Sequence, residues 1–274
     1  MSERVRVSIQ DGVADVRLDR PDKMNALDGA MFEALTKTGL ELAANPALRV
    51  VVLSGEGRAF CAGLDFNSFA GMAKAGAQEG EKAPAGPNLL DPSAQSPATR
   101  AQRAAWVWTE LPVPVIAAIH GVAFGGGLQI ALATDIRIVA PDARLSVLEV
   151  KWGLIPDMTG TQTLRRLVRL DVAKELTYSG RIVSGIEAVN LGLATHVSDT
   201  PRDAAFDLAR DIASKSPNAV RAAKRLLDQS GLVSLDEGLR LEAKLQASLI
   251  GSPNQNEAVR ANLEKRTPRF RDPE

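Results

Sequence analysis

The chain has 274 residues, 45% hydrophobic and 24% charged, which suits one large soluble domain or a core with a smaller lobe. Lys+Arg and Asp+Glu are both 33, so the formal net charge is zero, which argues against a nucleic-acid footprint or a basic membrane surface. A single cysteine, Cys61, excludes an intrachain disulfide, and with His120 and His196 as the only histidines no metal site is expected. The opening MSERVRVSIQ is charged and lacks an apolar signal core, and no run reaches membrane-spanning length. The expectation is therefore a cytoplasmic protein, with no nucleic acid and no membrane among its partners.

Val5, Val7 and Ile9 alternate with polar residues, Asp11-Gly12 supplies a turn, and Ala14, Val16 and Leu18 alternate again, which predicts a hairpin. Asp28 can cap a helix running to about Ala43, broken at Asn45-Pro46. Val50–Leu53 reads as a buried strand, followed by the glycine-rich Gly55–Asp65. Within that loop, Cys61 has no identifiable acid–base partner and reads as a small buried filler. Gly71–Pro97, rich in Ala, Gly, Pro, Gln and Ser, is expected to be a long mobile loop or an ordered lid outside the core. Arg100–Leu111 reads as a helix, with Trp106 and Trp108 in packing roles.

The central stretch runs from Pro114 to Thr161. A buried strand, Pro114–Ile119, leads into Gly125, Gly126 and Gly127, then into a small-residue helix over Leu128–Thr134. The glycines mark close backbone approach to another element or to a ligand. A helix start presents free N–H groups that can hold a developing oxyanion. The G-x-G-x-x-G spacing of a dinucleotide site is missing. A second strand returns toward Glu149 and Asp157. Glu149 lies in the largely apolar run Leu145–Leu154, where burial would raise its pKa.

Helical spacing follows over Leu164–Leu167 and Ala173–Leu176. Ser184 and Glu187 have capping-box spacing for a helix to Leu191. Gly192–Val197 reads as a return strand on which His196 packs or caps. From Pro201 onward the pattern is all helix, so the α/β core (1–200) is expected to give way to a helical module (201–274).

Several ordered blocks carry a resemblance that covers nearly the whole chain. They are Arg20-Pro-Asp-Lys-Met-Asn25-Ala-Leu, Ala59-Phe-Cys-Ala-Gly63-Leu-Asp65 and His120-Gly-Val-Ala-Phe-Gly-Gly-Gly-Leu, then Ala133-Thr-Asp135-Ile-Arg-Ile. Gly160-Thr-Gln-Thr-Leu, Ala188-Val-Asn-Leu-Gly192-Leu and Glu264-Lys-Arg-Thr-Pro-Arg-Phe270 follow. In these blocks the chain resembles the enoyl-CoA hydratase/isomerase (crotonase) family. The resemblance implies an α/β spiral of repeated strand–strand–helix units with a C-terminal helical module that packs homotrimers, often as dimers of trimers. It implies acyl-CoA thioester substrates of fatty-acid metabolism, with coenzyme A entering as part of the substrate and no further cofactor. By position, it makes the N–H groups of Leu64 and Gly126 an oxyanion hole, and matches Lys23, Asn25, Ala26, Leu27, Ala62 and Leu64 to the part that holds the CoA.

The resemblance also implies the acids. Hydratases of the family carry two glutamates; here those positions hold Gln129 and Glu149. Glutamine exchanges no proton under ordinary conditions but can orient a water or the substrate. At a third position, where hydratases usually have glycine, this chain has Asp157, as dienoyl-CoA isomerases do. The leading expectation is a double-bond isomerase working through Glu149 and Asp157. An enoyl-CoA hydratase (a lyase) and a non-catalytic acyl-CoA binder stand behind it.

Overall fold

The computed structural model describes residues 4–65, 89–93 and 96–273. The opening hairpin is β1 (Val5–Gln10) and β2 (Val13–Leu18), and α1 (Gly29–Ala43) is capped by Asp28, whose side chain accepts from Met31 N–H. Next come β3 (Val50–Gly55), the short pair β4 (Pro92–Ser93) and β5 (Ser96–Thr99), and α2 (Arg100–Glu110). The central stretch forms β6 (Val115–Ile119), β7 (Val122–Phe124), α3 (Gly126–Leu132), β8 (Ile136–Val139) and β9 (Arg144–Ser146). Then follow α4 (Gly160–Leu167), α5 (Leu170–Ser179), β10 (Val183–Ser184), α6 (Gly185–Leu191) and β11 (His196–Val197). The chain closes with α7 (Pro201–Ala213), α8 (Pro217–Gln229), α9 (Leu235–Leu249) and α10 (Pro253–Leu263).

A six-stranded sheet has the order β1-β2-β3-β6-β8-β11, and a three-stranded sheet has the order β10-β9-β7. In the larger sheet only β1 and β2 are antiparallel; the other neighbours run parallel, in registers such as Val51↔Val115 and Ile116↔Ile136. The continuous apolar runs of β3 and β6 are buried along their whole length, as parallel strands covered on both faces must be. One face packs against α1, α2 and α3 through Leu35, Trp108 and Leu128. The other receives α7, whose Ala205 and Ala209 sit over Val50, Val52 and Ile116. The second strand of each unit steps over to the small sheet, so β6–β7–α3 and β8–β9–α4 repeat the strand–strand–helix order expected from the resemblance. Among the described residues no helix is long and apolar enough to cross a membrane, and no cluster of His, Cys, Asp and Glu suits a metal.

Some local expectations shift. The central helix starts at Gly126, inside the glycine run, because glycine backbone rather than Leu128 forms its first turn. The Ser184 hydroxyl accepts from Glu187 N–H, but the Glu187 carboxylate accepts from Arg181 instead of closing the box. His196 is exposed on β11 rather than packed. Much of Gly71–Pro97 lies outside the described residues; at its end, β4 and β5 pair.

The turn entering the site is held by Asn25, which is fully buried with left-handed backbone (φ 56°). Its side-chain NH2 lies 3.0, 2.8 and 3.2 Å from the carbonyls of Glu56, Ala59 and Phe60, and its oxygen accepts from Arg20 N–H at 2.8 Å. Asn25→Ala strands these groups and should lower unfolding free energy by about 3 kcal/mol in chemical denaturation. A loss under about 1 kcal/mol would mean that water replaces the amide.

Candidate active site

Two glycine-rich segments meet side by side. Cys61 N–H donates to Val122 O, and Phe124 N–H to Cys61 O, which seats the Gly55–Asp65 loop against β7. Burial pushes the Cys61 thiol up to about 12, so it is inert filler. On its other edge the loop bridges the Lys23–Leu27 segment. Ala62 N–H donates to Met24 O, Leu27 N–H to Gly63 O, and Asp65 N–H to Leu27 O.

That pattern sets the direction of the Leu64 N–H. The Gly63 carbonyl and the Asp65 N–H both point at Leu27, so by strand alternation the Leu64 N–H points the opposite way. Gly126 lies close to this loop: a Cβ at Gly63 would be 2.6 Å from Phe124 O and 3.8 Å from Gly126 N. Neither the Leu64 N–H nor the Gly126 N–H has an acceptor among the described residues, and both residues are half-buried. Gly126 is also the first residue of α3, where the partial positive end of the helix adds to the field.

The glycines are required by space. Gly125 has φ 50°, and a Cβ there would lie 3.3 Å from Glu149 Oε1. A Cβ at Gly127 would lie 2.4 Å from Cys61 O. The Glu149 carboxyl therefore rests against Gly125, the residue that precedes α3.

Glu149 begins a short 3-10 turn (Glu149–Trp152) and is 8% exposed. Gln129, 2% exposed on α3, donates from Nε2 to Glu149 Oε1 at 2.6 Å. Its Oε1 accepts from both Met158 N–H and Gly160 N–H at 2.8 Å. Those two donors fix which end of the amide is oxygen. Glu149 Oε2 is buried and has no partner among the described residues. Burial raises the Glu149 pKa; its backbone and Gln129 bonds oppose that, and the charge of Asp157 adds to it. Asp157 is exposed, but the protein around its carboxyl removes enough hydration to raise its pKa as well.

The structure thus pairs Gln129 with Glu149 against Gly125, brings Asp157 close enough to act on Glu149 through its charge, and sets the Gly63–Leu64 loop close to Gly126. In the Lys23–Leu27 segment Lys23 is exposed, while the side chains of Asn25 and Leu27 are fully buried and offer nothing directly to a ligand. Two features were not assigned from sequence. One is the ion pair of Arg20 Nη1 with Asp65 Oδ2 at 2.6 Å, across a separation no local pattern reveals. The other is Thr159, a β-branched residue with φ 70° and a buried hydroxyl that has no partner among the described residues. A cavity of about 680 Å³, lined by Trp106, Lys224 and Leu249 among others, lies away from all of these groups.

The enoyl-CoA hydratase/isomerase family model matches residues 8–273. The chain is 33% identical over 271 residues to a peroxisomal Delta(3,5)-Delta(2,4)-dienoyl-CoA isomerase of Arabidopsis thaliana, covering 98% of this chain and 96% of that one. It is 34% identical to the mitochondrial methylglutaconyl-CoA hydratase of Mus musculus, covering 95% of this chain and 80% of that one. The crystal structure of an enoyl-CoA hydratase from Bacillus anthracis superposes with TM-score 0.85 at 34% identity, covering 97% of this chain and 98% of that one.

The raised pKa of Glu149 has a consequence for stability. An acid whose folded pKa exceeds its unfolded value binds more protons when folded, so stability falls as pH climbs above the unfolded value of 4.5. Glu149→Gln removes that loss and keeps an oxygen for the Gln129 NH2. The variant should melt above wild type at pH 7, with the gain disappearing below about pH 4. An equal or lower melting temperature at pH 7 contradicts the assignment.

Proposed function

The chain belongs to the enoyl-CoA hydratase/isomerase family, and from that premise we propose that it shifts a double bond in an enoyl- or dienoyl-CoA thioester by proton transfer. The observation carrying this reading is the state of Gln129. Its oxygen takes two backbone N–H groups and its nitrogen serves Glu149 Oε1. An amide in that position supplies no proton and has no second carboxylate to help activate water. Glu149 retains an Oε2 with no partner among the described residues, on a carboxyl that lies against Gly125.

In this mechanism the thioester oxygen sits against the Leu64 and Gly126 N–H groups. Glu149 Oε2 removes an α- or γ-proton, and the electron pair moves toward that oxygen as the dienolate forms. One such donor contributes roughly 3 kcal/mol to the barrier. Desolvation, which raises the Glu149 pKa, makes its ionised form the stronger base. The proton then returns at the other carbon, from Glu149 itself or from Asp157. Coenzyme A is part of the substrate, and the mechanism uses no further cofactor and no metal. Lys23 with the backbone at Asn25, Ala26, Leu27, Ala62 and Leu64 is the proposed CoA contact, supported by the hydrogen bonds that join those two segments.

One observation favours hydration as a second reading. Asp157 is exposed, has a raised pKa and acts on Glu149 through its charge, which supports its standing in for the missing acid. A Ser–His hydrolase has no support: the Ser146 hydroxyl donates to Gly180 O, and His120 Nε2 lies 2.8 Å from Gly57 O. A binding-only role leaves unexplained a buried Glu149 Oε2 with no partner among the described residues. The exposed Leu227, Leu235, Leu239 and Leu263 on α8–α10 support a trimer or dimer of trimers built through the helical module.

The test is incubation with 2-enoyl-, 3-enoyl- and 3,5-dienoyl-CoA esters of several chain lengths, followed by mass-resolved chromatography. An equal-mass product at a new retention time is expected, lost in Glu149→Gln while acyl-CoA binding persists. A product heavier by one water would replace isomerisation with hydration.

A further inference from the structure

Leu64 donates to the proposed oxyanion hole through its own backbone, so nothing in its side chain sets the direction of that N–H. Direction comes from the residues on either side. Gly63 is tied through its carbonyl to Leu27 N–H at 2.8 Å, and Asp65 through its N–H to Leu27 O at 3.0 Å. Asp65 is 6% exposed, a buried carboxylate one residue from a group meant to receive negative charge. It forms an ion pair with Arg20. The Nη1 of Arg20 lies 2.6 Å from Asp65 Oδ2, 3.1 Å from Ala26 O and 3.6 Å from Asp28 Oδ2. Asp28 is in turn held by Arg4 at 2.7 Å, besides capping α1.

One guanidinium therefore spans both strands of the Leu27↔Leu64 bridge, gripping a carbonyl on one and a carboxylate on the other. All of these contacts converge on one terminal nitrogen, Nη1. Resting on the reading of Leu64 as an oxyanion donor, we propose that Asp65 and Arg20 are positioning residues that fix the direction of the Leu64 N–H and so set how strongly the site prefers an enolate over the neutral thioester.

Charge and positioning make opposite forecasts. Asp65→Asn removes a negative charge near the hole and leaves the Arg20 cation in place, so by charge alone enolate binding should tighten. If direction governs, enolate binding should weaken, because the neutral amide is a poorer anchor for the guanidinium. The experiment compares wild type and Asp65→Asn as full-length protein with two probes of equal chain length. One is a 3-oxoacyl-CoA, whose bound enolate is read by its near-ultraviolet absorption; the other is a saturated acyl-CoA.

For Asp65→Asn we expect enolate affinity to fall about tenfold while saturated acyl-CoA affinity stays within about twofold. Unchanged or tighter enolate binding overturns the proposal, as does a parallel loss for both probes, which would make the pair merely structural. If Asp65→Asn does not fold, Arg20→Met carries the same comparison, with a selective enolate loss expected and an unchanged preference overturning the proposal. Wild type that shows no enolate preference at all would defeat the reading of the hole itself, a result distinct from any outcome in the variants.

Discussion

The primary amide of Gln129 is the contact on which the proposed chemistry depends. Its oxygen gathers the N–H groups of Met158 and Gly160, and its nitrogen holds one oxygen of Glu149. A carboxylate in the same place would put negative charge against Glu149 at hydrogen-bonding distance, and one of the two acids would have to keep a proton. The amide avoids that conflict. It leaves Glu149 free to ionise, fixes its orientation, and ties the turn carrying Asp157 to the helix that begins at Gly126.

The rest of the fold brings this amide to the two backbone donors. The parallel sheet stacks β3, β6 and β8 so that the loops after β3 and β6 emerge side by side. Gly127 lets α3 settle onto Cys61, and Asn25 closes the turn behind the first loop. Each of these contacts is buried and specific, so the site is preorganised without a ligand. The costs are visible nearby. Thr159 is held in a left-handed conformation, and two buried oxygens, on Glu149 and Thr159, have no partner among the described residues.

Much of this was legible in the sequence because it rests on local rules. The alternation of Val5–Leu18, the cap at Asp28 and the apolar runs of Val50–Leu53 and Pro114–Ile119 each became the expected element. Glu149 lies in an apolar run, and its burial followed. What was not legible depends on contacts between distant segments. Whether Gln129 would orient a ligand or brace the protein is decided by Met158 and Gly160, which no spacing rule connects to it. The Arg20–Asp65 pair and the fully internal use of the Asn25 side chain are hidden for the same reason. The half-formed box at Ser184 failed as a pattern because Arg181 competes for Glu187. Exposure of His196 follows from β11 pairing only with β8 at the sheet edge.

The proposed chemistry stands or falls on Glu149 Oε2 being a working base at a functional oxyanion hole. The most direct measurement is deuterium uptake from D2O at the α-carbon of a saturated acyl-CoA, which can neither isomerise nor hydrate. Wild type should incorporate deuterium, and Glu149→Gln should not. Absence of uptake in wild type, or undiminished uptake in the variant, would contradict the account.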